Sequence, residues 1–241
     1  LMINLLINVY KLILERKFMN KKLIEVDFFY SMRSPWSYIA TYQVKEITLK
    51  YNVKFNIRFV YPIALRIKGF FEKIDPLFAP YLLRDASRVA EMKNIPYSWP
   101  IPDPIVMEMP NKKSNKELKS PKIDSNQPYI HRITRLGVLA GLYNKDLEYV
   151  CSIAKLIWDG KTKNWDKEKH INNALIDIGL NPERMNSEII SKKEEIENII
   201  TNNEKIHRQT GHWGVPVFGF NNEPFFGQDR LDVLLWRLKQ N

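Results

Sequence analysis

The chain has 241 residues, of which 44% are hydrophobic and 27% are charged, and this composition is typical of a globular protein and excludes a disordered one. Its formal net charge is +10, but lysines are mixed with acidic residues along most of the sequence, as in residues 191–197 (SKKEEIE). We interpret the basic residues as solvated surface that favours small anionic molecules, and we expect no nucleic acid partner.

The first 18 residues are predicted to be an N-terminal extension. Apolar residues recur there at helical spacing, but polar residues interrupt the run, which is too short and too polar to span a bilayer. The segment is either an amphipathic surface helix or sequence upstream of a true start at Met19. We favour the second interpretation, because the first predicted strand begins shortly after Met19. Unless residues 1–18 are a surface helix, we expect no membrane partner.

A strand, a helix and a second strand follow the extension. Residues 24–30 (IEVDFFY) are rich in β-branched and aromatic side chains, which predicts a strand. Apolar residues recur at helical spacing over residues 36–51 and alternate with polar ones over residues 53–60. The two strands are therefore expected to run parallel, joined by a right-handed crossover.

The middle of the chain, about residues 76–186, is predicted to be an all-helical insertion domain. Its predicted helices cover residues 79–94, 128–143, 147–158 and 167–178. Between the first two, the proline-dense residues 95–110 exclude regular structure, and residues 111–125 form a predicted polar loop.

The only cysteine, Cys151, lies in an apolar helical stretch of this insertion. That setting favours a small buried side chain over a nucleophile. No intramolecular disulfide is possible with one cysteine, so an oxidising compartment is not required and we expect a cytoplasmic protein.

The last part of the chain completes the predicted sheet. Its expected elements are a long helix over residues 187–210, a hairpin of residues 217–220 and 224–226, and a closing helix over residues 229–239. The complete order is that of an α/β thioredoxin-like fold, made of residues 19–75 and 187–241, with the helical domain inserted between them.

Ser34 stands at the start of the first predicted helix, where thioredoxin-fold redox proteins carry the first cysteine of a Cys-x-x-Cys motif. Residues 34–37 are Ser-Pro-Trp-Ser, so dithiol exchange by the protein itself is excluded. The amides and dipole of a helix N-terminus still favour an anion, and a serine hydroxyl can donate a hydrogen bond to an external thiolate. The alternative is that Ser34 only caps the helix.

A second motif, Gly214-Val215-Pro216, directly precedes the hairpin. The thioredoxin fold carries a cis-proline at this place, facing the start of the active-site helix. We therefore predict that the Val215–Pro216 peptide bond is cis; the alternative is an ordinary trans proline that opens a strand.

A third motif begins the closing helix with Gln228, Asp229 and Arg230. Backbone amides at a helix start can hold a carboxylate, and Asp229 can pair with an ammonium group. Together they suit the two charged ends of a γ-glutamyl group. The alternative is helix capping by Asp229 with a surface Arg230.

Residues 24–40 (IEVDFFYSMRSPWSYIA) and 211–238 (GHWGVPVFGFNNEPFFGQDRLDVLLWRL) together resemble the 2-hydroxychromene-2-carboxylate isomerase family, which is related to kappa-class glutathione transferases and DsbA-type oxidoreductases. The resemblance implies glutathione as cofactor and Ser34 as the catalytic residue beside its sulfur. It further implies that glutathione binds at Val215, Pro216, Gln228, Asp229 and Arg230.

In characterised members of that family, the glutathione thiolate adds to a conjugated double bond and later leaves. The resemblance thus implies a glutathione-dependent isomerase acting on a small aromatic or anionic substrate. A kappa-type glutathione transferase or peroxidase and a non-catalytic peptide-binding protein remain as alternatives, and a homodimer stays open. The expected substrate pocket contains Tyr30, Trp36, Arg66, Lys68 and Trp99.

Two further observations limit these expectations. Residues 63–75 (IALRIKGFFEKID) depart from the pattern of the naphthalene-pathway isomerases, so we do not expect a role in naphthalene degradation. No HExxH motif and no Cys/His spacing suited to a metal occurs, so no metal site is expected. Of the four histidines, only His131, close to Arg132 and Arg135, is singled out, and a structural role is favoured for it.

Overall fold

A computed structural model describes residues 23–108 and 121–240. The predicted extension, residues 1–18, and most of the predicted polar loop, residues 111–125, lie outside these ranges. The division into a thioredoxin-like part and an insertion domain stays a prediction.

The strands of the described part pair into two sheets. In chain order they are β1 (Ile24–Tyr30), β2 (Val53–Phe59), β3 (Met107–Glu108), β4 (Lys122–Ile123), β5 (Val217–Phe220) and β6 (Glu223–Phe226). The main sheet has the order β2-β1-β5-β6, and β3 pairs with β4. β1 runs parallel to β2, with Tyr30 opposite Phe59, and antiparallel to β5, with Phe28 opposite Phe218. This strand order is the predicted thioredoxin-like arrangement.

Six of the predicted helices are present with small shifts of their ends, whereas the short helices at residues 63–66 and 70–73 were not predicted. In chain order the helices are α1 (Pro35–Lys50), α2 (Ile63–Arg66), α3 (Phe70–Lys73), α4 (Phe78–Met92), α5 (Pro128–Leu142), α6 (Asp146–Trp158), α7 (Glu168–Asp177), α8 (Pro182–Ser191), α9 (Lys193–Gln209) and α10 (Leu231–Leu238). Strand β2 contacts α1, α5, α6 and α9, so the helical segment between β2 and β5 packs directly on the sheet.

The predicted single helix over residues 187–210 is wrong, because two helices, α8 and α9, meet at Lys192. The side chain of Asn181 accepts a hydrogen bond from the amide of Arg184, and Pro182 occupies the first turn of α8. This Asn-Pro start lies before the predicted one. The proline-dense stretch also ends in an unpredicted two-residue strand, β3, which pairs with β4.

An aromatic cluster forms the core behind the sheet. Phe28 stacks on Phe218 with ring centroids 4.6 Å apart, and Tyr30 and Phe59 meet edge to face at 6.1 Å. Gly137 of α5 lies against the ring of Phe59, where a Cβ atom would approach the ring carbons to 2.6 Å. The lack of a side chain at residue 137 thus lets α5 approach β2 closely.

The hairpin and the end of the sheet follow the predicted turn chemistry. Asn221 and Asn222 have φ values of 49° and 62°, as a two-residue turn with left-handed backbone requires. The closing segment differs from the prediction, because Gln228–Arg230 is a 3₁₀ turn that contacts α1 and leads into α10. None of the helices in the described ranges is long and apolar enough to cross a membrane.

Candidate active site

Ser34 is the N-cap residue of α1. Its Oγ accepts a hydrogen bond from the amide of Ser37 at 3.1 Å, and its own amide donates to the carbonyl of Ser31 at 3.0 Å. Pro35 fills the first helical position, and no acidic residue lies in the first turn. The partial positive charge of the helix start is therefore not neutralised by a side chain of that turn. Ser34 is only 9% exposed.

The turn before β5 meets this helix start. The Val215–Pro216 peptide bond is cis, which confirms the prediction for this motif. The Ser34 hydroxyl donates to the carbonyl oxygen of Val215 at 3.5 Å, and the amide of Gly227 donates to the carbonyl of Pro216 at 2.9 Å. Among the residues that the structure describes, none accepts a hydrogen bond from the Val215 amide. The backbone of Val215 is thus available to an extended ligand.

Behind this turn lies a buried histidine that the sequence analysis did not single out. His207 of α9 donates from Nε2 to the carbonyl of Gly214 at 2.8 Å, and its ring stacks on Phe29 at 4.7 Å. Its Nδ1 faces Nη1 of Arg66 at 3.5 Å. Burial, with a contribution from Arg66, lowers the pKa of His207 to about 4. The ring is therefore neutral near pH 7 and fixes the backbone of the turn.

Arg66, predicted to line the substrate pocket, supports the same turn. Its Nη2 donates to the carbonyl of Trp213 at 3.1 Å and its Nε to the carbonyl of Tyr61 at 2.8 Å. With the contact of its Nη1 to Nδ1 of His207, these hydrogen bonds hold the guanidinium of Arg66 against the turn in this conformation. The only sequence feature that could have pointed to His207 is its position seven residues before Gly214, near the end of α9.

In the third motif, the side chains of Gln228 and Asp229 differ in their burial. Gln228 is buried, and its Oε1 has no hydrogen-bond partner among the described residues. Asp229 is exposed and pairs with Nη1 of Arg230 at 2.8 Å. Both residues lie in the 3₁₀ turn that contacts α1, on the segment that Gly227 ties to Pro216. The expected N-terminus of a regular helix is therefore absent at Gln228, and α10 begins at Leu231.

The other predicted pocket residues differ in their exposure to solvent. Tyr30 is only 1% exposed and lies in the aromatic core, so it cannot contact a ligand in this conformation. Trp36 is half-buried at the start of α1, and Lys68 is exposed. Trp99 packs its edge against Trp158 at 5.3 Å and faces Arg33.

Arg33, next to Ser34, was missed by the sequence analysis. Its Nε and Nη2 donate to the two carboxylate oxygens of Asp103 at 2.7 and 2.8 Å. Its guanidinium carbon lies 5.5 Å from the ring centroid of Trp99 and 5.8 Å from that of Phe71. The sequence feature that could have pointed to Arg33 was its positive charge directly before the Ser34 motif.

His131 and Cys151, both considered in the sequence analysis, lie in surroundings that favour structural roles. His131 packs against Tyr61 at 5.0 Å and near Arg135, and burial lowers its pKa. Cys151 is half-buried on α6, where burial raises the pKa of its thiol to about 11. Such a thiol is protonated near neutral pH and is a poor nucleophile. The described ranges contain no group of three or more His, Cys, Asp or Glu side chains able to hold a metal ion.

Comparisons with known proteins agree with the thioredoxin-like fold. Residues 25–239 match the DSBA-like thioredoxin domain, whereas no curated protein sequence matches the chain. A structure of 2-hydroxychromene-2-carboxylate isomerase is 19% identical, with a TM-score of 0.64 over 90% of this chain and 95% of that chain. A probable DsbA oxidoreductase from Streptomyces coelicolor is 13% identical, with a TM-score of 0.60 over 90% of this chain and 89% of that chain.

A third similar structure is the cytosolic disulfide reductase DsbM from Pseudomonas aeruginosa. It is 11% identical, with a TM-score of 0.59 over 90% of this chain and all of that chain. A structure of the same reductase with GSH has a TM-score of 0.56. Identities this low support the fold alone, but the domain match spans most of the sequence. The chain therefore belongs to the DSBA-like thioredoxin domain family.

Proposed function

We propose that this protein is a glutathione-dependent isomerase that acts on a small conjugated substrate, aromatic or anionic in character. The observation that carries the proposal is the pairing of Ser34 with Val215 at the start of α1. This chain has the Ser34 hydroxyl where thioredoxin-fold redox proteins carry a thiol. A sulfur that reacts at this place must therefore come from another molecule. A hydroxyl at a helix N-terminus suits the binding of an external thiolate.

The polar groups around Ser34 fit glutathione. Within the described residues, Gln228 offers a buried acceptor and the Val215 amide a donor, neither with a partner, and Asp229 offers an exposed carboxylate. A peptide with an ammonium group, carboxylates and backbone amides can satisfy all three. A similar structure, the reductase DsbM, has been solved with GSH, which supports glutathione as the ligand.

Ser34 would hold the sulfur in its anionic form. Its Oγ already accepts from the Ser37 amide, and its contact with the Val215 carbonyl, at 3.5 Å, is longer than a usual O–H···O bond. The hydroxyl proton can therefore turn towards a bound thiolate at little cost. When bound, glutathione supplies a thiolate that adds reversibly to a conjugated double bond and so permits rotation about it.

Arg66 and His207 would fix the other half of the site. They hold the carbonyls of Trp213 and Gly214, so the Val215 amide keeps one orientation towards the ligand. This preorganisation lowers the entropy lost on binding. A kappa-type glutathione transferase or peroxidase would use the same groups and differs in consuming glutathione.

The test is calorimetric titration with glutathione, followed by turnover of a cis-enone. We expect binding at millimolar glutathione or below, and cis–trans conversion with glutathione recovered unchanged. Stoichiometric loss of glutathione would assign the transferase or peroxidase instead. No heat of binding at millimolar glutathione would contradict the isomerase as well as the transferase or peroxidase. That result would favour a protein that binds peptides at the Val215 turn.

A further inference from the structure

Arg33 directly precedes Ser34 in the sequence, and its guanidinium is held in a fixed orientation. The carboxylate of Asp103 accepts hydrogen bonds from Nε and Nη2 of Arg33 in a bidentate ion pair. Both side chains are mostly shielded from solvent, at 17% exposure for Arg33 and 16% for Asp103. The rings of Trp99 and Phe71 lie within cation–π distance of the central carbon of the guanidinium. An arginine so paired and stacked is confined to a narrow range of orientations.

The backbone on both sides of this ion pair is anchored by buried tryptophans. Nε1 of Trp158 donates to the carbonyl of Met32 at 3.1 Å, directly before Arg33. Nε1 of Trp165 donates to the carbonyl of Pro102 at 2.8 Å, directly before Asp103. Oδ1 of Asp103 also accepts from the amide of Ile105 at 2.9 Å. The carboxylate is therefore oriented independently of Arg33.

One edge of the guanidinium has no hydrogen-bond partner in the part of the chain that the structure describes. Of its five N–H groups, Asp103 binds two. The two hydrogens on Nη1 and the second on Nη2 bind nothing within residues 23–108 and 121–240. Nη1 and Nη2 together form the end-on fork that matches a carboxylate with two parallel hydrogen bonds.

We propose that Arg33 is a specificity-determining residue that binds a carboxylate of the second substrate through this Nη1–Nη2 edge. The planar body of such a substrate would pack against Trp99 and Phe71. Asp103 is a positioning residue, because it directs the free edge of Arg33 away from itself. The inference rests on the proposed function, because that function makes the ligand a substrate. Binding of the carboxylate by Arg33 does not itself require glutathione.

The test measures binding of two matched probes by calorimetry in the absence of glutathione: 2-naphthoate and 2-naphthamide. The wild-type protein should bind the carboxylate about tenfold to a hundredfold more tightly than the amide, as expected for a charge-assisted bidentate pair. Arg33→Gln should remove this preference and leave glutathione affinity unchanged. Arg33→Lys, which keeps the charge but loses the fork, should retain only part of it.

Arg58→Gln is the matched control, because Arg58 forms a comparable ion pair with Asp27 on the sheet, at 2.9 Å. It should keep the full preference for 2-naphthoate. Equal affinity of the wild type for the two probes, or a preference that survives in both Arg33 variants, would overturn the proposal. If the preference is found but glutathione does not bind, the proposed function fails while the carboxylate subsite stands.

Discussion

The hydroxyl oxygen of Ser34 lies 3.5 Å from the carbonyl oxygen of Val215, although 181 positions separate the two residues in the sequence. This contact joins the start of α1 to the cis-proline turn before β5. A ligand bound at Ser34 would therefore lie next to the backbone of Val215.

Asp229→Asn should weaken glutathione binding more than it weakens folding. The side chain is exposed, and its ion pair with Arg230 lies on the surface, where such pairs contribute little to stability. A lost charge-assisted hydrogen bond to the ligand costs roughly 1.5–3 kcal/mol, or about tenfold to a hundredfold in affinity. Calorimetry and urea unfolding measure the two effects. A loss of stability with unchanged affinity would mean that Asp229 acts only within its turn.

His207 should make the protein less stable as the pH falls from 6.5 towards 4. Burial lowers its pKa from the ordinary 6.5 to about 4, so in this window the unfolded chain binds a proton that the folded protein excludes. The free energy of unfolding should fall by up to about 1.4 kcal/mol per pH unit, with no further contribution below the folded pKa.

The matched variant is His207→Gln, whose amide can still donate to Gly214. Urea unfolding from about pH 7 to about pH 4 should show a shallower decline for the variant. Because His131 and His212 are present in both proteins, the difference isolates His207. Parallel declines in the two proteins would contradict this account.

Gly137 and Gly141 of α5 should respond oppositely to alanine. A Cβ atom at residue 137 would lie 2.6 Å from the Phe59 ring, whereas at residue 141 the nearest atom, in Asp146, is 3.7 Å away. Gly137→Ala should cost about 1–3 kcal/mol through overpacking. Gly141→Ala should leave stability unchanged or raise it by up to about 1 kcal/mol through helix propensity. Thermal unfolding of both variants checks this, and equal effects would argue against tight packing at Phe59.

The parts of the site that sequence could predict are those set by short motifs and by element order. Ser34 and the cis bond at Pro216 follow from the serine motif and the Gly-Val-Pro turn, once strand β1 and the hairpin are placed. The ion pair between Arg33 and Asp103 could not be predicted in this way. It depends on the irregular path of the proline-dense segment, which no periodicity describes.

Errors in the prediction arose where local patterns competed with packing. Residues 187–210 keep one amphipathic period, yet the Asn181-Pro182 start and the turn at Lys192 divide them into α8 and α9. Gln228 was expected at a helix start but lies in a 3₁₀ turn with its side chain buried. His207 gives no signal of its own, because its partner, the Gly214 carbonyl, is a backbone group.

In the proposed function, Ser34 stabilises a bound thiolate. An unperturbed thiol titrates near pH 8.5, so glutathione in solution is mostly protonated at neutral pH. Removing one donor to the anion should raise the pKa of the bound thiol by about one to two units, since each unit corresponds to about 1.4 kcal/mol. Ser34→Ala should therefore still bind glutathione, lose about tenfold to a hundredfold in activity, and partly recover as the pH rises.

Ser37→Ala is the control, because Ser37 lies in the same turn but is buried, and its Oγ has no hydrogen-bond partner among the described residues. The decisive measurement is the ultraviolet absorbance of the bound thiolate against pH for the wild type and both variants. We expect the curve of Ser34→Ala to shift to higher pH, and the curve of Ser37→Ala to follow the wild type. Superimposable curves for Ser34→Ala and the wild type would contradict the account and leave Ser34 as a helix cap alone.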